Sequence, residues 1–437
     1  MNTPNNAIRK HNFIPWTTQE SQDGVLEIVK GEGVYFWDSD GNKYLDFLSQ
    51  IFNLNLGHGN TQIINAIQKQ AAQLCAASPS LLHQGRIELG KRLTSITPGD
   101  LSKIFFTNSG SEANEIALFM ARLYTGRKKV FAKYRSYHGT TSATLTLCGD
   151  PRRIFIEPGP PGSVRFFDPY CYRCDFKLEY PSCELHCASA LERQIEMEGP
   201  ENVAAIILEP FTGAAGGFPV PPGYLKRVRE ICDHYKILMI ADEVITGFGR
   251  TGKWFAVNHE NVVPDILTVA KGLTAGYVPM GAVMVREKIA AHFEDKLLPL
   301  GCTYTGHPLA CASALAALQE YDRWGTVKNS HRMGKKLAQK LEILKEKHVC
   351  VGDVRSQGLL ACIELVRQKS TREPFVPFNT TPPFMDELRE QFFRRGLFLF
   401  IRWNLILLAP PLIIQDKHLM EAVKVLDEVL DWIDGKI

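Results

Sequence analysis

This chain of 437 residues has no uninterrupted apolar run long enough to cross a bilayer. Its greasiest stretch, residues 397–414, is broken by Arg402, Asn404 and the pair Pro410-Pro411. A charge near the centre of a span costs about 2.5–3.5 kcal/mol on insertion scales, so this stretch reads as two core strands around a functional bend. An excess of one charge is equally lacking. Lys plus Arg number 50 against 47 Asp plus Glu, a net +3. That balance supplies no broad field for nucleic acid or a membrane surface, and affinity for small anions must be built locally. Residues 1–16 are polar and have no apolar core of an export signal, which points to a cytoplasmic protein. No internal repeat or low-complexity tract is present.

Paired cysteine spacing is also scarce. The 11 cysteines are an odd number, and most stand singly in apolar surroundings, as Cys75, Cys232, Cys311 and Cys362 do; that is the usage of reduced thiols. One cluster departs from it: Cys171, Cys174, Cys183 and Cys187, with His186 alongside. It allows a structural metal clip, disulfides or free thiols, although the interval between its pairs is shorter than in common zinc ribbons.

What the chain does have is alternation. From about residue 62 to residue 318, apolar strand-like runs (204–208, 237–241, 266–270) alternate with helical patterns, which indicates an α/β fold with a mostly parallel sheet covered on both faces. Before it, residues 33–47 read as a hairpin turning at Asp40-Gly41-Asn42. After it, the helical stretch 306–323 leads into an α+β segment. The organisation expected is a small domain built from residues 1–61 and 324–437 around a large domain, 62–323.

The chemistry begins at Lys271, at the end of one apolar run, and Asp242, at the end of another. A strand-end lysine can form a Schiff base, and a neighbouring carboxylate can keep a pyridinium nitrogen protonated, a combination that points to pyridoxal phosphate. Ser109-Gly110-Ser111 follows a strand and opens a helix, where free N–H groups and the positive end of the dipole make a phosphate site; a simple Ser cap is the bland alternative. Tyr137-His138, past the strand-like run 130–133, offers a ring to stack on a flat cofactor. Gly247-Phe-Gly-Arg-Thr-Gly252 satisfies a dinucleotide-binding pattern, but residues 253–257 do not open a helix, so a pyrophosphate would have no dipole to sit on. Those glycines read as turn residues near the active-site wall.

Six segments in order carry a family resemblance: Ser-Gly-Ser-Glu-Ala-Asn-Glu at 109–115, Tyr-His-Gly at 137–139, Glu-Pro at 209–210, Asp-Glu-Val-Ile-Thr-Gly-Phe-Gly-Arg-Thr-Gly at 242–252, Ala-Lys-Gly at 270–272 and Thr-Tyr-Thr-Gly-His-Pro at 303–308. The chain resembles the class III aminotransferases, which are fold-type-I pyridoxal phosphate enzymes. The resemblance implies that Lys271 is the Schiff-base lysine and proton carrier, that Asp242 holds the pyridine nitrogen, and that Val244 packs on the ring face opposite Tyr137. It implies that Ser109, Gly110, Ser111 and Thr303 serve the phosphate, with Thr303 coming from the second subunit of a homodimer or of a larger tetramer. His138 and Glu209 stand beside the cofactor. Members acting on ornithine or 4-aminobutyrate carry an Arg/Glu gate where this chain has Leu407 and Ala214. The omega-amine and beta-alanine or taurine:pyruvate group is the nearer likeness. There Arg402 is the candidate for binding the substrate's anion, and Phe52 and Tyr137 line the pocket. The expected reaction transfers an amino group from an omega-amine or omega-amino acid to pyruvate or another 2-oxo acid, without a metal. Lyase, decarboxylase and aminomutase chemistry on the same fold is the rival.

Overall fold

The computed structural model describes residues 11–19 and 25–437. The first ten residues of the polar opening segment, read above for the absence of an export signal, therefore lie outside the described residues.

A seven-stranded sheet forms the centre, in spatial order Leu101–Thr107, Gly281–Arg286, Ile266–Val269, Leu238–Asp242, Val203–Leu208, Lys129–Lys133 and Ser163–Phe166. Only Gly281–Arg286 runs antiparallel to its neighbours, so the sheet is mostly parallel as expected. The uninterrupted apolar run Val-Ala-Ala-Ile-Ile-Leu at Val203–Leu208 is buried at every position. A strand sandwiched between helices on both faces has no solvent side on which to place polar residues. Helix Gly110–Thr125 buries Ala113, Ile116, Ala117, Met120 and Ala121 on one face of this sheet. In such sheets ligands bind beyond the carboxyl ends of the strands. There the register sets Asp242 beside Thr268 of the neighbouring strand, with Lys271 just past that strand's end.

Two further sheets flank this core. In the first, Tyr35–Asp38 and Lys43–Asp46 form the expected hairpin, closed by the Asp38 carboxylate, which accepts from the Asp40 and Asn42 N–H groups at 3.1 and 2.8 Å. Its outer members are Ile28–Glu32 and, from the far end of the chain, Leu397–Phe398. The second holds Val351–Gln357, Leu360–Gln368, Leu405–Leu408 and Phe400–Arg402. The expectation of two strands across residues 397–414 is thus corrected to three short ones shared between two sheets. The chain switches sheets at Leu399 and then reverses at Trp403, whose φ of 54° only a tight turn requires.

Residues 247–252 are followed by a four-residue 3₁₀ turn, Ala256–His259, and not by an α-helix. The glycine loop presents Arg250, whose side chain is wholly buried and donates to the carbonyls of Leu359 and Pro410 (3.0 and 2.5 Å), to Ser49 Oγ (3.1 Å) and to Asn55 Oδ1 (2.7 Å). The loop therefore fastens three chain segments together. Gly249 and Gly252, at φ of 91° and 87°, pack against Val327 and His331 of the helix Thr326–Lys347.

All 11 cysteines are free thiols. Cys171, Cys174, Cys183 and Cys187 line one small cavity with His186. Their sulfurs are not gathered to within shared-ligand distance; among the described residues the group that is so gathered is His348, Asp431 and Asp434.

Candidate active site

Asp242 ends its strand with a buried carboxylate held from three sides. Oδ2 accepts from Asn114 Nδ2 at 2.8 Å and stands 2.8 Å from His138 Nδ1, while Oδ1 accepts from the Val244 N–H at 3.0 Å. Asn114 is itself fixed, since its Oδ1 accepts from Thr268 Oγ1 at 2.7 Å and its amide also donates to the His138 carbonyl at 2.8 Å. A carboxylate oriented in this way has one rotamer and a fixed direction for its remaining lone pairs. His138 Nε2 is buried without a protein partner. An orphan of that kind costs roughly 1–3 kcal/mol unless a ligand or water satisfies it.

Lys271 opens the short turn Lys271–Thr274 with φ 32°, in the left-handed region that a lysine disfavours. Strain of this kind persists only where the surroundings enforce it. Here they do: Gly272, the next residue, lies against Asn55, and its carbonyl accepts from the Tyr321 hydroxyl at 2.6 Å. Burial of the amine drives the Lys271 pKa down, partly offset by Asp242 and Glu209. An amine so depressed is more readily neutral, the state in which it is nucleophilic and basic.

At the third corner, helix Gly110–Thr125 points its N-terminus at the same strand ends. Ser109 is the N-cap, its hydroxyl accepting from the Glu112 N–H at 3.2 Å, so this member of the predicted phosphate set is engaged in capping. The Gly110 and Ser111 N–H groups have no acceptor within the helix, as in any first turn. A Cβ at Gly110 would lie 2.9 Å from Val244 Cγ1, so a side chain there would have to displace Val244. Ser111 Oγ accepts from the Thr140 N–H at 3.1 Å. Thr303 lies exposed in the loop before helix Pro308–Trp324.

Glu209 is fully buried and braces Tyr137. Its Oε1 accepts from the Tyr137 N–H at 3.1 Å and Oε2 from the Gly213 N–H at 2.9 Å. Burial raises its pKa, against the pull of Lys133 and His138. Lys133, also buried, donates to the Glu209 carbonyl at 3.0 Å and to Thr212 Oγ1 at 2.6 Å. The Tyr137 ring carries the Arg152 guanidinium 4.0 Å from its centroid. Arg152 pairs with Asp150 through Nε (2.8 Å) and Nη2 (3.0 Å), and Asp150 Oδ2 also accepts from Arg402 Nη1 at 2.6 Å. Arg402 makes a second bond to the Ala214 carbonyl at 3.2 Å and lies over Trp403 at 4.1 Å. Phe52 is 2% exposed, in one buried cluster with Trp403 and Leu407 and with its ring edge-on to Phe400. At that burial it presents little surface of its own.

The sequence reading did not single out Asn114, Lys133, Asp150 or Arg152. Asn114 had a signal, lying one turn past Ser111 on the helix face toward the sheet. Asp150 and Arg152 had none, because only folding sets their loop beside Tyr137. Taken together, an amine depressed by burial, an oriented carboxylate, spare N–H groups at a helix start and an orphan imidazole nitrogen fit pyridoxal phosphate.

Known proteins agree with that fit. The family model for class-III aminotransferases matches residues 17–430. The putrescine–pyruvate aminotransferase of Pseudomonas aeruginosa is 36% identical over 97% of this chain and 94% of its own length. The taurine–pyruvate aminotransferase of Bilophila wadsworthia is 40% identical over 79% and 78% of the two chains. The crystal structure of taurine:2-oxoglutarate aminotransferase from Bifidobacterium kashiwanohense, in complex with pyridoxal phosphate and glutamate, superposes with a TM-score of 0.93, at 38% identity, over 98% of this chain and 97% of that one. The chain therefore belongs to the class-III aminotransferases, pyridoxal phosphate enzymes of fold type I.

Proposed function

We propose that this aminotransferase takes its amino group from an omega-amine or omega-amino acid, with beta-alanine and taurine as representative donors, and delivers it to pyruvate or another 2-oxo acid. The observation that carries this reading is the arginine pair beside Tyr137. Arg402 and Arg152 supply cationic character at the far end of the pocket, while Leu407 and Ala214 leave no second gate of charge. The names of the putrescine and taurine relatives support the same class of donor.

When bound, pyridoxal phosphate draws electrons from the carbon that carries the amino group. The chain supplies the rest. Gly110 and Ser111 receive the phosphate at the helix start, and the Asp242 carboxylate, fixed by Asn114 and His138, holds a proton on the ring nitrogen. The Lys271 amine, which burial makes more readily neutral, would hold and move the proton at the carbon that carries the amino group. Tyr137, braced by Glu209, orients the ring. The same proposal takes Thr303 from a partner subunit, so that a homodimer shares its sites, and divides each chain into residues 1–61 with 324–437 and residues 62–323. Among the described residues no helix is long and apolar enough to cross a membrane, and a cytoplasmic location is proposed.

The test is an amino-donor panel with beta-alanine, taurine, diamines and an uncharged aralkyl amine, each followed by several 2-oxo acids in the second half-reaction. Stoichiometric aldehyde or keto product with recovery by a 2-oxo acid is the expected result. Release of carbon dioxide from beta-alanine, or of phosphate from a phosphorylated amino alcohol added to the panel, without such recovery would replace the transfer reading by the lyase one.

A further inference from the structure

Both arginines of the pocket end on one carboxylate. Asp150 is 0% exposed in its side chain, against 27% for Arg152 and 17% for Arg402. Two guanidiniums and one carboxylate leave one net positive charge. The two cations are not held alike. Arg152 has a two-pronged bond to Asp150 and a stacked position over Tyr137, so it is fixed. Arg402 also lies over a ring, Trp403 at 4.1 Å, but it reaches Asp150 Oδ2 and the Ala214 carbonyl with Nη1 alone, at the bend between two short strands. Its remaining donors are uncommitted in these contacts. If Arg402 leaves, Asp150 keeps Arg152, and no buried charge is stranded; stranding one is what makes breaking a buried pair costly.

We propose that Asp150 is a specificity-determining residue: it is the internal counter-ion that fixes Arg152, releases Arg402, and thereby sets the far end of the pocket to admit one negative charge, a carboxylate or a sulfonate. The Asp150 carboxylate is bonded to the two arginines and to none of Lys271, Asp242 or His138. It acts through the arginines, by keeping one in place and letting the other exchange an internal carboxylate for an external anion. The same carboxylate keeps a far-end ammonium acceptable, because with it the pocket carries one excess positive charge and without it two. This inference rests on the proposed omega-amine reading, which it deepens.

The experiment uses the holoenzyme and its Asp150→Asn and Asp150→Glu variants, with folding checked by thermal melting. Asparagine keeps the shape and the cap to the Arg152 N–H while removing the charge. The probe is ethanesulfonate, an anion that has no amine to transfer, and its dissociation constant is read by calorimetry. Asp150→Asn is expected to bind ethanesulfonate about tenfold more tightly. It is also expected to shift the kcat/KM ratio of taurine to 1,4-diaminobutane at least about tenfold toward taurine. Asp150→Glu restores the charge and returns both quantities toward those of the parent enzyme. Ethanesulfonate affinity within about twofold of the parent in Asp150→Asn overturns the proposal. So does an unchanged donor ratio. If Asp150→Asn does not fold, Asp150→Ser, which keeps an acceptor for the Arg152 N–H without the charge, decides by the same two readouts and the same limits. Should no omega-amine serve as donor while ethanesulfonate binding still follows the charge at position 150, the functional reading fails and the counter-ion role stands.

Discussion

At Lys271 the backbone and the amine are both displaced from their ordinary states, the one by a φ of 32°, the other by burial. Replacing it with alanine removes the covalent anchor and the proton carrier together while leaving the phosphate cradle intact. Lys271→Ala is expected to lose at least about 100-fold in turnover and to keep a parent-like melting curve without cofactor, measured by steady-state kinetics and calorimetry. Asp242→Asn keeps the shape of the acid but not its charge. Single-turnover measurements on that variant are expected to show a loss of more than about tenfold, roughly 1.4 kcal/mol, in the proton-transfer step. Asp150 allows a stability prediction with a definite sign. Burial alone raises its pKa, but hydrogen bonds and charge from Arg152 and Arg402 overcome this and bring it from 3.8 to about 2. A carboxyl lowered on folding stabilises fully above its unfolded pKa and loses that contribution as pH falls through its folded one, here between about pH 4 and pH 2. Denaturant titrations of Asp150→Asn should therefore show a deficit of about 2 kcal/mol near pH 6 that closes toward pH 2.

Among the elements, the bend between Phe400–Arg402 and Leu405–Leu408 carries the most specific consequence. The two strands pair Arg402 with Leu405 and turn at Trp403, which sends the guanidinium back over its neighbour's ring toward Asp150. Arg402→Ala is expected to lower kcat/KM for carboxylate or sulfonate donors and for 2-oxo acids roughly ten- to a hundredfold, the worth of a charge-assisted contact, while uncharged amines lose far less. Equal losses for charged and uncharged donors, with the half-reactions measured separately, would leave Arg402 as a support for Asp150 alone. The helix Gly110–Thr125 brings two features together. Its first turn offers N–H groups, and Asn114, one turn later, reaches the aspartate on the central strand of the sheet.

Across the whole molecule, distant segments of the chain are joined at a few buried points. Arg250 ties residues 49–55 to the carbonyls of Leu359 and Pro410, so the N-terminal and C-terminal portions reach the large sheet through one buried cation. Thr303 lies exposed on its own chain, as a residue reserved for a partner would be. Mixing inactive Lys271→Ala subunits with inactive Thr303→Trp subunits is expected to restore part of the activity as heterodimers form, because each mixed dimer contains one site free of both changes. Subunit exchange verified by mass spectrometry with no recovered activity would argue against shared sites.

Lys271 and Asp242, where apolar runs end, and Gly110 and Ser111, where a helix opens, could be picked out before folding, because strand ends and helix starts are written locally in period and composition. The hairpin at Asp38 and the mostly parallel sheet were legible for the same reason. The ion-paired group beside Tyr137 was not legible before folding. Asp150, Arg152 and Arg402 are separated by up to 252 positions between Asp150 and Arg402, and no local pattern announces their meeting. The splitting of residues 397–414 into three strands was hidden too, since an apolar run does not say which of two sheets each part joins. Charge pairing across such distances is a property of packed surfaces, and packing exists only once the chain has folded.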